Sequence, residues 1–158
     1  MPKSLVKDDS LLALVNEFFV DGGPFTKDLG IRIESVDGTN ARLSFPMQNG
    51  LIGLYRNPML HGGVISSVLD VAGGVVVFLS VIDRLKGSSL KQKSDKLQKL
   101  NTIDLRIDYL RPGIGELFSS TGYILRSGNK VAVARMELHN EKQDLIAVGT
   151  GSYSFSFK

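Results

Sequence analysis

Apolar residues first recur at helical spacing as Leu11, Leu12, Leu14, Val15, Phe18 and Phe19, directly after Asp8, Asp9 and Ser10, which suit a cap or a first turn. The spacing predicts a short amphipathic helix that ends near Asp21-Gly22-Gly23-Pro24. Ile31 to Val36 and Ala41 to Met47 then alternate with a period of two around Asp37-Gly38, which predicts a β-hairpin. Gln48 to Leu60, holding Gly50, Gly53 and Pro58, reads as a loop. From His61 to about Ile82 the chain predicts a helix that is apolar nearly all round, so it must be buried on most sides. Residues 83–100 form a polar excursion with Leu90, Leu97 and Leu100 among its few large apolar residues and room for a short helix. Four strands follow, Thr102 to Leu110, Glu116 to Arg126, Lys130 to Asn140 and Leu145 to Phe157. Turn signals separate them at Arg111-Pro112-Gly113, Ser127-Gly128-Asn129 and His139-Asn140-Glu141. Sequential strands joined by short turns predict an antiparallel meander. The order of elements gives a single α+β domain spanning 1–158, with a curved antiparallel sheet wrapped around one long central helix.

Composition narrows this further. A chain of 158 residues, 42% hydrophobic and 22% charged, suits one globular core and argues against disorder or a fibre. The absence of cysteine excludes disulfides, thiolate metal sites and a cysteine nucleophile, and fits a reducing compartment. Met1 to Ser10 is polar and lacks the apolar core of a secretory signal, so a cytoplasmic location is expected. A dispersed net charge of +3 speaks against a nucleic-acid partner. The apolar stretch from Val64 to Ile82 is interrupted by Ser66, Ser67, Asp70 and Gly73-Gly74, so a core helix is favoured over a membrane span.

Chemistry concentrates where that helix begins. His61, Gly62 and Gly63 precede Asp70 in the string HGGVISSVLD. Glycines at a helix start let a ligand approach bare backbone, and the first N–H groups of a helix have no intrahelical acceptor. With the helix dipole they suit a developing oxyanion. Asp70 interrupts an apolar helix, where an unpaired carboxylate is costly to bury, so it needs a partner or a function, either as general base on water or as nucleophile. A rise of ~1.5 Å per residue puts Asp70 about 12 Å along the axis from Gly62, too far for both to touch one carbonyl. Two copies paired about a two-fold axis would close the gap and create two shared sites. Taken singly, His61 reads as a cap and the diglycine as a common turn; it is their register with Asp70 that gives the functional reading. Gly73 and Gly74 are each unfavourable inside a helix and predict a close contact, such as one between helices across a dimer.

The string HGGVISSVLDVAGG resembles the signature of the PaaI-like branch of hotdog-fold acyl-CoA thioesterases. The run from Thr102 to Tyr153 is similar to the bacterial medium/long-chain acyl-CoA thioesterases of YigI type within that branch. The resemblance implies a hotdog fold, an acyl-CoA substrate hydrolysed to fatty acid and coenzyme A, no cofactor and no metal, and a homodimer or dimer of dimers with shared sites. By the same resemblance Asp70 is the catalytic carboxylate, Gly62 the amide that polarises the carbonyl, and His61 its neighbour that helps hold that carbonyl and the loop. Thr102 would orient the attacking water, and Asn57 would be the polar residue of the preceding loop. Gly63, the turn Arg111, Pro112, Gly113 and the turn Gly128, Asn129, Lys130 would meet substrate or coenzyme A, with Arg111 and Lys130 near its phosphates. Two alternatives stay open: a hotdog hydratase or dehydratase, which would pair a histidine with an acid, and a non-catalytic acyl-CoA binding module.

Overall fold

The computed structural model of the protein describes residues 9–85 and 89–157. Asp8 and the polar start before it, and 86–88 of the predicted excursion, lie outside the described residues. Helix α1 (Asp9–Asn16) runs into a π-helical turn over Glu17–Asp21, and a short helix α2 (Pro24–Asp28), which the sequence pattern does not predict, follows with proline in its first turn. Strands β1 (Arg32–Asp37) and β2 (Asn40–Pro46) make the expected hairpin, and Gly38 takes a positive φ of 57° at its turn. A single 3-10 turn at Asn49–Leu51 precedes the central helix α3 (Gly62–Arg84). Helix α4 (Leu90–Lys96) occupies the polar excursion behind a capping box of Ser89 and Gln92. Strands β3 (Leu97–Tyr109), β4 (Leu117–Ser127), β5 (Val131–Asn140) and β6 (Leu145–Phe157) complete the fold. β3 begins five residues earlier than the pattern predicts, because Leu97 to Asn101 pair with the end of β6.

The six strands form one antiparallel sheet in the order β1-β2-β4-β5-β6-β3. The expected meander holds for β4, β5 and β6 but not for β3, which lies on the far edge beside β6 rather than beside β4. Arg111-Pro112-Gly113 is therefore not a hairpin turn. It begins a crossing over the sheet end, tied at successive points: the Leu110 and Arg111 N–H groups donate to Ile146 O at 2.9 and 3.0 Å, Asn140 Nδ2 donates to Ile114 O at 3.1 Å, and Glu116 O accepts from Met47 N–H at 2.8 Å.

The sheet curls around α3, which touches β2 through β6. Every residue of α3 from Ala72 to Ile82 is buried, as the all-round apolar pattern requires, and the free energy comes from removing these side chains from water, about 1.5–3 kcal/mol for each large one. Phe18 and Phe19 of the π-helical turn close the remaining side, with ring centroids 5.1 and 5.6 Å from that of Phe78. Among the described residues α3 is the one helix long and apolar enough to cross a membrane, and it is instead the core of the fold. The first half differs: Gly63 is exposed, and Ser66, Ser67, Asp70 and Val71 are only half-buried, so a stripe remains uncovered next to edge strand β3.

Gly73 and Gly74 do not wait for a second helix. A Cβ on Gly73 would run into the Tyr153 hydroxyl, and one on Gly151 would lie 2.7 Å from the same ring, so these two glycines shape a slot for a side chain of β6. Tyr153 is 1% exposed there and donates from its hydroxyl to the backbone carbonyl of Asp70 at 3.2 Å. Burial first, and then the negative charge of Asp70, push its phenol well above the usual tyrosine range.

Two outcomes follow from the slot. Gly73→Ala should lower the unfolding free energy by about 1–3 kcal/mol in urea denaturation, as overpacking does. Gly74→Ala should hold level or gain, because its nearest neighbour, Phe19 Cε1, would lie at 3.4 Å and a helix-interior glycine is itself unfavourable by about 1 kcal/mol. In alkali, Tyr153 keeps its proton in the folded chain while an unfolded tyrosine releases it near pH ~10, so its contribution to stability is complete below that pH and is lost as pH rises beyond it. Ultraviolet titration should show Tyr153 ionising only together with unfolding, a delayed step absent from Tyr153→Phe.

Candidate active site

The first turn of α3 is built around two glycines, and every neighbouring polar group helps to hold it. His61 is the N-cap, with extended backbone (φ −61°, ψ 139°), and its Nδ1 accepts from the Gly63 N–H at 2.9 Å. His61 N–H donates back to Leu51 O at 2.8 Å, anchoring the turn to the preceding loop. The His61 carbonyl accepts from both Val64 and Ile65 N–H, at 2.9 and 3.2 Å. Among the described residues nothing accepts from the Gly62 N–H. This donor belongs to the peptide whose carbonyl already takes two hydrogen bonds, which polarises it toward donation, and it sits at the positive end of the helix. Of the two glycines the sequence singles out, Gly62 alone offers a free amide, while the amide of Gly63 is occupied by His61.

Asp70 lies on the uncovered stripe, half-buried, at the third turn of α3. Its Oδ1 accepts from Thr102 Oγ1 at 2.9 Å. Thr102 stands on β3, the sheet's open edge, and nothing local in the sequence links it to a residue 32 positions earlier; the contact exists because β3 runs alongside α3. The threonine hydroxyl that donates to Asp70 keeps its lone pairs free to accept, so a water held by both oxygens would have one carboxylate oxygen left to take its proton. Tyr153 beneath Asp70 fixes the backbone of the same turn. Neither Tyr153 nor Tyr109, whose hydroxyl donates to Gly62 O at 3.0 Å, was singled out by pattern; both read there as ordinary strand residues.

The other expected residues are dispersed. Asn57 is exposed near the tip of the loop that Gly53 N–H and Met59 O close at 3.0 Å, and its own N–H turns back to Leu54 O. Arg111 and Pro112 are exposed at the start of the crossing, and Arg111 Nη1 donates to Leu145 O at 2.9 Å. Gly113 is buried against Leu60, whose N–H it accepts at 2.9 Å, so it serves the loop ahead of α3. Gly128, Asn129 and the exposed Lys130 lie at the opposite end of β4, roughly 30 Å away by strand length. There Arg84, at the end of α3, donates to Gly128 O, to Ser127 Oγ at 3.1 Å and to Asn129 Oδ1 at 3.4 Å. One chain thus brings together Asp70 with Thr102 and, separately, His61 with Gly62 and Gly63. It does not bring the two groups, or the two outer turns, to one another.

The histidine-acid pair among the described residues is His139 with Glu137, 3.9 Å apart on β5. Both side chains face the outer side of the sheet, the face opposite Met136 and Leu138, which point inward to the core. His61 has its Nδ1 committed to its own helix. No group of three or more metal-binding side chains occurs among the described residues.

Residues 57–147 match the family described as the thioesterase superfamily. Across 145 residues the chain is 47% identical to the medium/long-chain acyl-CoA thioesterase YigI of Escherichia coli K12, covering 92% of this chain and 94% of that one. It is 46% identical over the same length to the protein of that name from Salmonella typhimurium. The crystal structure of a Shewanella oneidensis protein related to the thioesterase superfamily superposes with a TM-score of 0.85 at 42% identity, covering 92% of this chain and 95% of that one. The Escherichia coli PaaI protein superposes with a TM-score of 0.74 over 96% of this chain and 95% of its own, at 20% identity, a likeness of fold. A sheet wrapped around a helix that opens with a free Gly62 amide and carries the half-buried carboxylate of Asp70, together with these matches, makes the chain a member of the thioesterase superfamily with the hotdog fold.

Proposed function

We propose that this protein hydrolyses medium- and long-chain acyl-CoA thioesters to fatty acid and coenzyme A, in sites shared between two copies. The observation that carries the reading is the pair of unfinished half-sites: a carboxylate already oriented by Thr102 and a free helix-start amide about 12 Å away along the same helix. The names of the 46–47% identical relatives support acyl-CoA as substrate. The edge strand supports the assembly. β3 offers a 13-residue open edge carrying exposed Ile103 and Tyr109, beside the uncovered stripe of α3, and such an edge invites a second strand. Antiparallel pairing of two β3 edges about a two-fold axis would set the Asp70 turn of one helix against the Gly62 turn of the other. A cytoplasmic setting is consistent with a chain that uses no cysteine.

In the reaction, Asp70 takes a proton from water held against Thr102, and the water oxygen bonds to the thioester carbon. The carbonyl oxygen becomes an oxyanion, held by the Gly62 N–H of the facing copy, where the helix dipole favours negative charge. The tetrahedral intermediate collapses, the C–S bond breaks, and the thiolate of coenzyme A takes up the proton from Asp70. Arg111 and Lys130 are the cations proposed to meet the coenzyme phosphates, and Asn57 the loop residue nearest the substrate.

Thiol release from acyl-CoAs of several chain lengths tests the proposal. Asp70→Asn should lower kcat by about 10²–10⁴-fold, the range of a lost general base. Gly62→Pro deletes the donor while suiting the first helical position, since His61 already has the extended backbone that a following proline requires. It should lower kcat by about 10²–10³-fold with little loss of fold. Wild-type rates from Asp70→Asn would remove the carboxylate from the mechanism, and tight acyl-CoA binding without turnover by the wild type would favour a binding module.

A further inference from the structure

Two consecutive glycines open α3, and glycine is the residue least restrained by its own backbone. A donor that must meet a developing oxyanion needs the opposite property, because a loose donor is ordered only at the expense of the transition state. The surrounding side chains supply the missing restraint. The Gly62–Gly63 peptide is gripped at both ends: its N–H by His61 Nδ1 at 2.9 Å and its carbonyl by the Tyr109 hydroxyl at 3.0 Å. The next carbonyl, Gly63 O, takes the hydroxyls of Ser66 and Ser67 at 3.0 and 2.7 Å. Of these four side chains, three belong to the cap or the helix itself, and Tyr109 alone reaches in from the sheet. Its ring also lies along Gly62, where an added Cβ would meet Cε1 at 3.5 Å, in ordinary contact. Tyr109 is 54% exposed, so burial does not account for its position.

We propose that Tyr109 is a positioning residue for the oxyanion donor. It ties the Gly62–Gly63 peptide to the end of β3, so that the free Gly62 N–H keeps one direction relative to the edge strand. Because β3 also carries Thr102, one strand fixes the orientation of both half-sites, the carboxylate through Thr102 and the amide through Tyr109. The inference rests on the reading of Gly62 as the thioester-binding donor.

Tyr109→Phe removes the hydroxyl and leaves the ring. The expected result is a fall in kcat of about tenfold, the worth of one ordinary hydrogen bond, with KM for acyl-CoA within twofold of wild type and an unchanged melting temperature. Tyr109→Leu, which removes the ring as well, should lose no less. Backbone amide relaxation provides a readout that needs no substrate: the Gly62 and Gly63 signals should be those of a rigid helix start in the wild type and should broaden in Tyr109→Phe. Unchanged Gly62 and Gly63 relaxation would overturn the inference whatever the activity, as would a kcat within twofold of wild type. A wild type that releases no thiol while the two glycine amides loosen in Tyr109→Phe would count against the proposed reaction and leave the positioning role standing.

Discussion

A carboxylate placed within an apolar helix must either find water or be surrounded by donors, and this requirement fixes how the sheet can wrap. From Ala72 to Ile82 α3 is sealed on all sides, so nothing charged could be held there without a partner. Asp70 stands two positions before that seal closes. It keeps one side open, receives the Thr102 hydroxyl on the other, and rests on a turn tied through its backbone to Tyr153. The slot cut by Gly73 and Gly151 admits Tyr153 so closely that the sheet and the helix cannot slide past each other without displacing the carboxylate. The core and the candidate site are therefore one construction.

The helix start obeys a complementary rule. Its amides are useful because they lack acceptors, yet a run of unsatisfied donors on a flexible diglycine would be neither ordered nor selective. The molecule satisfies the surrounding groups and leaves one. His61 occupies Gly63, the His61 carbonyl gathers Val64 and Ile65, and only Gly62 stays open. A single polarised donor lies about 12 Å from its carboxylate along the uncovered stripe, and the proposed two-fold pairing is what would bring such a donor and such a carboxylate together.

Much of this is legible in the chain itself, and the boundary of legibility is physical. The all-round apolar pattern of Val64 to Ile82 specifies a wrapped helix, and HGGVISSVLD marks the groups that face the gap, because those signals are local. The hairpin at Asp37-Gly38 and the strands β4, β5 and β6 are local too. Strand β3 is not. Its place beside β6 depends on pairing between Leu97 and Phe157, sixty residues apart, and no turn signal encodes it. The same nonlocality hides the contacts of Thr102 with Asp70, Tyr109 with Gly62 and Tyr153 with Gly73. The helical glycines announce only that something approaches closely, and in the structure Gly73 meets Tyr153 and Gly74 meets the ring of Phe19, both of the same chain.

Completion of each site by two copies is tested most directly by pairing the two defects. Asp70→Asn and Gly62→Pro chains, each inactive alone, should be co-expressed at equal levels and assayed for thiol release as the mixed population. If one copy supplies the carboxylate and the other the amide, half of the dimers are mixed and each mixed dimer holds one intact site, so about a quarter of wild-type activity should return. Activity no higher than that of the two variants assayed separately, in a sample shown to contain mixed dimers, would mean that each chain works with its own groups and would contradict the shared site.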